Sequence, residues 1–127
     1  MPLHVTVDPQ RELVIADGRG LVTDQDLLSY IQEYLEEEGL SGYDEFFDLS
    51  EADLLDLTYT GLAQVAQAAA ATDPATVPTK IAILVSEGSG MTLSRMYQVL
   101  REDQGGSRKI RLFWDRNECL DWLELAP

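Results

Sequence analysis

A chain of 127 residues with 45% hydrophobic side chains is the right size for one domain spanning 1–127, and too short for two comfortable ones. Its net charge of −14 argues against nucleic-acid binding, because a field of that sign repels phosphate backbones. No apolar run approaches the roughly 20 residues of a membrane-spanning helix. Met1-Pro2-Leu3-His4 does not open a signal peptide, so a cytoplasmic location is the expectation. The single cysteine, Cys119, excludes an internal disulfide, and Cys119 with His4 is too few ligands for a structural zinc site.

The charge is uneven. Residues 1–63 hold 15 acids and two bases, Arg11 and Arg19, whereas residues 64–127 hold eight acids and seven bases. The first half therefore favours a cationic partner surface, although acidity also serves solubility.

Leu3-His4-Val5-Thr6-Val7 alternates as a strand does, Asp8-Pro9-Gln10-Arg11 is a turn, and Leu13–Ala16 returns, so residues 3–17 predict a β-hairpin broken by Gly18 and Gly20. Thr23 caps a helix, with Asp26 completing a short relative of the capping box. Its stripe is Leu27, Leu28, Ile31, Tyr34 and Leu35; Glu33 and Glu36–Glu38 form a solvated face, and Gly39 stops it. Tyr43–Leu49 is the third strand, Ser50–Tyr59 a loop, and a helix follows from Thr60 or Gly61 to about Ala71, ended by Thr72-Asp73-Pro74. Lys80–Val85, after Pro78, is a continuous apolar run and reads as a central buried strand. Gly88-Ser89-Gly90 leads into a helix over roughly 91–103 with a stripe of Leu93, Met96, Tyr97 and Leu100, closed by Gly105-Gly106. Lys109–Trp114 is the last strand. Asp115 and Glu118 cap a final helix that turns Cys119, Leu120 and Leu123 inward, with Trp122 partly so.

The order ββαβαβαβα predicts an α/β fold with a single mixed, mostly parallel sheet, antiparallel only at the first strand, and helices mainly on one face. In the last strand Lys109, Arg111 and Phe113 share one face. With helices on the other, Phe113 and Phe47 would be left partly exposed, and a homodimer is the expectation.

This order, with Phe47-Asp48-Leu49-Ser50, Leu57-Thr58-Tyr59-Thr60-Gly61-Leu62, and Ile110–Asp115 followed by Cys119 and Trp122-Leu123, resembles the SpoIIAA-like group, which includes STAS domains and bacterial proteins of unknown role. The resemblance spans roughly Val5 to Leu123. It implies a non-enzymatic regulatory or protein-interaction module. In anti-sigma-factor antagonists this helix opens with Asp-Ser-Ser-Gly-Leu, and the Ser before Gly is phosphorylated. Here Thr60 has that place, Thr58-Tyr59 replaces Asp-Ser, and Glu51, Asp53 and Asp56 already crowd it with charge. Thr60, Ser50, Asp48, Asp53 and Asp56 are thus the candidate phospho-switch or partner surface; the plain alternative makes Thr60 an N-cap. Some SpoIIAA-like proteins look related to lipid-binding domains. That implies an alternative, an apolar-ligand module with a pocket between the sheet, Met91, Met96, Tyr97 and Trp114.

No catalytic set assembles. Asp53 and Asp56 lie in a polar stretch, and Ser86-Glu87-Gly88-Ser89-Gly90 lacks the ending of a phosphate loop. Cys119 falls on an apolar helix face, and His4 has no partner in the pattern. No enzyme activity, cofactor or metal is expected.

Overall fold

The computed structural model describes residues 3–72, 79–86, 89–103 (side chains from Thr92 onward) and 108–124. The expectations for Asp73-Pro74, Pro78, Glu87-Gly88, Gly105-Gly106 and the Met91 side chain lie outside these residues. Strands β1 (Leu3–Asp8) and β2 (Leu13–Leu21) form the expected antiparallel hairpin, with the Arg11 amide donating to Asp8 Oδ1 at 3.2 Å. Strands β3 (Asp44–Asp53), β4 (Lys80–Leu84) and β5 (Lys109–Phe113) then add in parallel, in the spatial order β1-β2-β3-β4-β5.

Gly18 does not end β2. The pairing with β3 shifts register between Asp17 and Arg19 and continues to Leu21 opposite Asp53. A Cβ at Gly18 would lie 2.8 Å from Leu49 Cδ2, so glycine permits the close approach at this bulge. The segment expected as a loop from Ser50 is consequently strand as far as Asp53.

The described residues also form four α-helices: α1 (Asp24–Tyr30), α2 (Tyr59–Ala70), α3 (Ser89–Asp103) and α4 (Arg116–Trp122). Thr23 caps α1 through a full capping box with Asp26. After Tyr30 the helix widens into a π-helical segment, Ile31–Glu37, which carries Ile31 and Leu35 into the core. The helices cover both faces of the sheet. The larger core lies between the sheet and α1, the π-helical segment, α2 and α3, around Val14, Leu49, Val65, Ile81 and Ile83. The smaller lies under α4, where Leu13, Phe46, Ala82, Leu84 and Phe113 meet Cys119 and Leu123. This corrects the exposure expected of Phe113, which is 3% exposed because α4 crosses over it, while Trp114, just past the strand, is 51% exposed. Phe47 is half-buried and meets the Tyr30 ring edge-on at 5.0 Å. The apolar sheet face invoked for a homodimer is therefore occupied by α4.

One polar cluster holds the ends where β3, β4 and β5 begin. Glu45 is buried on β3 opposite Ile81. Its Oε1 accepts from the Tyr30 hydroxyl at 2.6 Å, and its Oε2 pairs with Arg108. Arg108, immediately before β5, also donates to the carbonyls of Ser41 and Tyr43 in the connection into β3. Nearby, the Lys80 amide donates to Asp44 Oδ1 at 2.9 Å and the Lys109 amide to the Thr79 carbonyl at 2.9 Å. Two buried charges are tolerable because the pair is hydrogen-bonded on both sides.

The Tyr30 hydroxyl is held well above its ordinary value of 10.0, first by burial and then by the charge and hydrogen bond of Glu45. A raised folded-state value contributes stability that is complete below the unfolded value and is lost as pH climbs toward the folded one. Tyr30→Phe is therefore expected to cost about 1–2 kcal/mol at neutral pH, by removing a hydrogen bond to a charged group. It should also shrink the alkaline loss of stability above about pH 10. Urea unfolding of both proteins across that range checks this; parallel pH profiles would contradict it.

Candidate functional site

The residues singled out in the sequence separate into two places. Asp48 and Ser50 belong to the α4 side. The Asp48 carboxylate accepts from the Ser50 hydroxyl at 2.6 Å and amide at 3.1 Å, and pairs with Arg116 at the start of α4. Burial alone would raise its pKa, but the Ser50 donors and the Arg116 charge outweigh burial and hold it below the usual carboxylate value. The Arg116 guanidinium also lies 5.5 Å from the Phe46 ring, and the Ser86 hydroxyl donates to the Ser50 carbonyl at 2.8 Å. Each of these groups has an intramolecular partner, so the cluster reads as the fastening of α4 and of the β4 end.

Asp53, Asp56 and Thr60 lie at the opening of α2. Asp53 Oδ1 accepts from the Leu55 amide at 3.0 Å, and Asp56 and Thr60 are exposed. The cap is Thr58, not Thr60: its side chain accepts from the Gly61 amide at 2.9 Å, and the helix begins one residue earlier than the Gly-Leu pattern suggests. Thr60 sits within the first turn. The Thr58 hydroxyl in turn donates to Asp24 Oδ2 at 3.1 Å. Asp24, in the first turn of α1, thus presents its carboxylate to the positive end of α2. A Cβ at Gly61 would fall 1.9 Å from Asp24 Oδ2, so glycine here makes room for that carboxylate. The sequence reading missed Asp24, because a carboxylate in the first turn of one helix already has a local explanation.

Beside this opening the surface turns apolar. Leu55 is 72% exposed, Tyr59 60% and Val99 63%. Tyr59 forms one wall of a groove of about 370 Å3, and Thr92, Arg95, Met96, Val99 and Leu100 of α3 line the rest. Residues 92, 95, 96 and 99 recur at the one-turn spacing that puts them on one helix face. Leu93 and Tyr97 pack toward the sheet as expected, and Met96 instead faces the groove. The pocket expected among Met96, Tyr97 and Trp114 does not form: Met96 and Tyr97 line different spaces, and Trp114 is exposed beyond β5.

The structure is similar to the crystal structure of an uncharacterized protein from DUF3478 family with a SpoIIAA-like fold from Shewanella loihica PV-4. The TM-score is 0.58 at 17% sequence identity, covering 95% of this chain and 91% of that one. The chain has a SpoIIAA-like fold. No protein-family model matches it, and neither does any curated protein. At that identity the likeness fixes the SpoIIAA-like architecture and leaves the residues of the groove and the α2 opening to be argued from their own geometry. No helix among the described residues is long and apolar enough to cross a membrane.

The Asp24–Thr58–Gly61 contact makes a specific prediction. Asp24→Ala is expected to cost about 1 kcal/mol, by removing an anion from a helix N-terminus and a partner from its cap. Gly61→Ala should be destabilising in the native chain, since the new methyl displaces the carboxylate. In the Asp24→Ala background it should turn neutral or stabilising by up to ~1 kcal/mol, because alanine is the better helix former. Equilibrium unfolding of the four proteins reads this sign change; additive costs would show that the carboxylate does not sit over Gly61.

Proposed function

We propose that this chain is a non-enzymatic protein-interaction module whose docking face is the groove between the opening of α2 and α3. Its partner would be a cationic protein segment with apolar anchors. The observation that carries the reading is the groove surface of exposed Tyr59 and Val99 with half-buried Met96, reached in the chain from the acidic 51–56 segment. Large apolar groups in a groove rimmed by polar residues mark interaction sites more often than scattered apolar residues do. The acids Asp24, Glu51, Asp53 and Asp56 cluster around the segment that leads into Tyr59. The two bases of the first half, Arg11 and Arg19, pair with Asp8 and with Asp17 and Glu51. Arg95 is the charged residue among those lining the groove, so the complementarity lies with the acidic segment at the α2 opening, which favours a basic partner over a second copy of this acidic chain.

The side chains that would suggest chemistry favour a binding role instead. Cys119 is fully buried on the inner face of α4, and burial pushes its thiol up to about 12, far from thiolate at neutral pH. His4 is exposed on the edge strand β1. The phospho-switch reading of Thr60 is weakened by Asp24: a phosphate at the α2 opening would meet a carboxylate that already holds the helix N-terminus.

The test uses a designed amphipathic helix of Leu and Lys, with a Leu and Glu counterpart as control. The Lys peptide is expected to shift amide resonances of Tyr59, Met96 and Val99, and to bind about tenfold more weakly when salt is raised from low to several hundred millimolar. Val99→Asp should reduce its affinity at least tenfold. Equal binding of both peptides, or shifts confined to another face, would overturn the proposal; dimerisation through Val99 would assign the groove to self-association instead.

A further inference from the structure

The two edges of the sheet are finished differently. At the β5 edge the Ile110 carbonyl accepts from Gln98 Nε2 of α3 at 2.8 Å, and Lys109 and Arg111 flank it as exposed charges. An occupied carbonyl and basic side chains are ordinary means of keeping a sheet edge from adding another strand. The β1 edge has neither. Its sequence, Leu-His-Val-Thr-Val-Asp, carries no lysine or proline, and its pairing with β2 runs from Leu3 to Asp8 without a bulge. His4 and Thr6 are exposed, and among the described residues β2 is its one sheet neighbour. Charge singles out the same place. Residues 3–21 hold three acids, Asp8, Glu12 and Asp17, against Arg11 and Arg19, whereas residues 22–63 hold twelve acids and no base. The hairpin is thus the part of the acidic half that a second copy approaches with least repulsion.

We propose that β1 pairs antiparallel with β1 of a second copy, about a two-fold axis at Thr6, and so joins two sheets into one. Directly opposed residues of an antiparallel pair share a face, so a two-fold axis normal to the sheet must pass through a residue. With the axis at Thr6, that side chain meets its own copy, Val5 meets Val7, and His4 meets Asp8. Val5 and Val7 lie opposite Ala16 and Val14, on the face of the larger core; His4, Thr6 and Asp8 lie on the other. Threonine pairs, β-branched pairs and a base against an acid are all favourable across strands. An axis at Val5 sets His4 against Thr6, and one at Val7 sets Asp8 against Thr6, so neither pairs the two. The Asp8 carboxylate is held at the edge by the Arg11 amide and by Arg11 Nε, 3.7 Å from its other oxygen. Pairing of β1 with β5 of a second copy would extend without closing, and the occupied Ile110 carbonyl opposes it.

Sedimentation of the full chain over a concentration series tests this. Six paired residues make a small interface, so monomer is expected at about 5 µM and mostly dimer at about 1 mM. Thr6→Lys alters an exposed side chain and should weaken the dimer about fivefold, by setting two like charges face to face. It also lowers the net negative charge, so a chain kept apart by overall charge alone would associate better instead. His4→Asp should stay monomeric, and mixing it with Asp8→Lys should give a heterodimer, because the mixed pair again sets opposite charges across the axis. Val99→Asp, which acts on the groove, should leave the dimer unchanged, and added salt should not weaken it, so the two proposals fail independently. A native chain still monomeric at the top concentration, a Thr6→Lys dimer as tight as the native one, a mixture that stays monomeric, or a dimer lost in Val99→Asp would overturn the inference.

Discussion

The buried Glu45–Arg108 pair is the constraint on which the rest of the architecture depends. It joins the beginning of β3 to the residue just before β5, and through Tyr30 and the Ser41 and Tyr43 carbonyls it adds α1 and the connection into β3. Three stretches of chain, around Tyr30, residues 41–45 and Arg108, are thus held together by one ion pair. Such a pair adds little net stability over a well-packed apolar substitute. Its leverage is geometric, because leaving either charge alone inside the protein is strongly unfavourable, so the strand starts have one arrangement that satisfies both.

With that end fixed, the opposite end is where the exposed features collect. The strands run in parallel from the clamp toward the openings of α2 and α3, and ligand and partner sites of open α/β sheets gather outside the carboxyl ends of the strands. The Asp24 carboxylate, the acidic residues of the 51–56 segment and the Tyr59 side chain all lie there. The same layer of helices also bounds an inner space whose polar lining is Glu45, Ser94, Tyr97 and Arg101. One helix, α3, therefore lines the outer groove with Met96 and Val99 and the inner space with Leu93 and Tyr97.

Much of the fold was legible because each strand and helix carries its own periodicity. The hairpin, the capping box at Thr23 and the cap at Asp115 follow local rules, and the structure has them all. The coverage of the second face was also encoded: Ile81-Ala82-Ile83-Leu84 is apolar on both sides, which fits a strand with helices above and below. The mistaken exposure of Phe113 came from placing α4 with the other helices despite that signal. Other features were not legible because they are set by distant partners. Glu45 in a strand looks like a solvated charge until Arg108, 63 residues later, is seen beside it. Thr58 and Thr60 are both acceptable caps, and Asp24 decides between them. Gly18 reads as a strand breaker, yet the approach of Leu49 makes it a bulge. The π-helical widening after Tyr30 leaves no mark in a stripe that fits an ordinary helix. As for the candidate site, the acidic edge was visible in the charge count, whereas the Tyr59–Val99 groove needed α2 and α3 to be placed side by side.

The central claim is that Glu45 and Arg108 act as one unit. A double-mutant cycle with Glu45→Gln, Arg108→Met and the pair, read by equilibrium unfolding at neutral pH, measures this directly. The account predicts that each single change is costly and that the double variant recovers about 2–3 kcal/mol relative to their sum. Additivity within about 0.5 kcal/mol would contradict it.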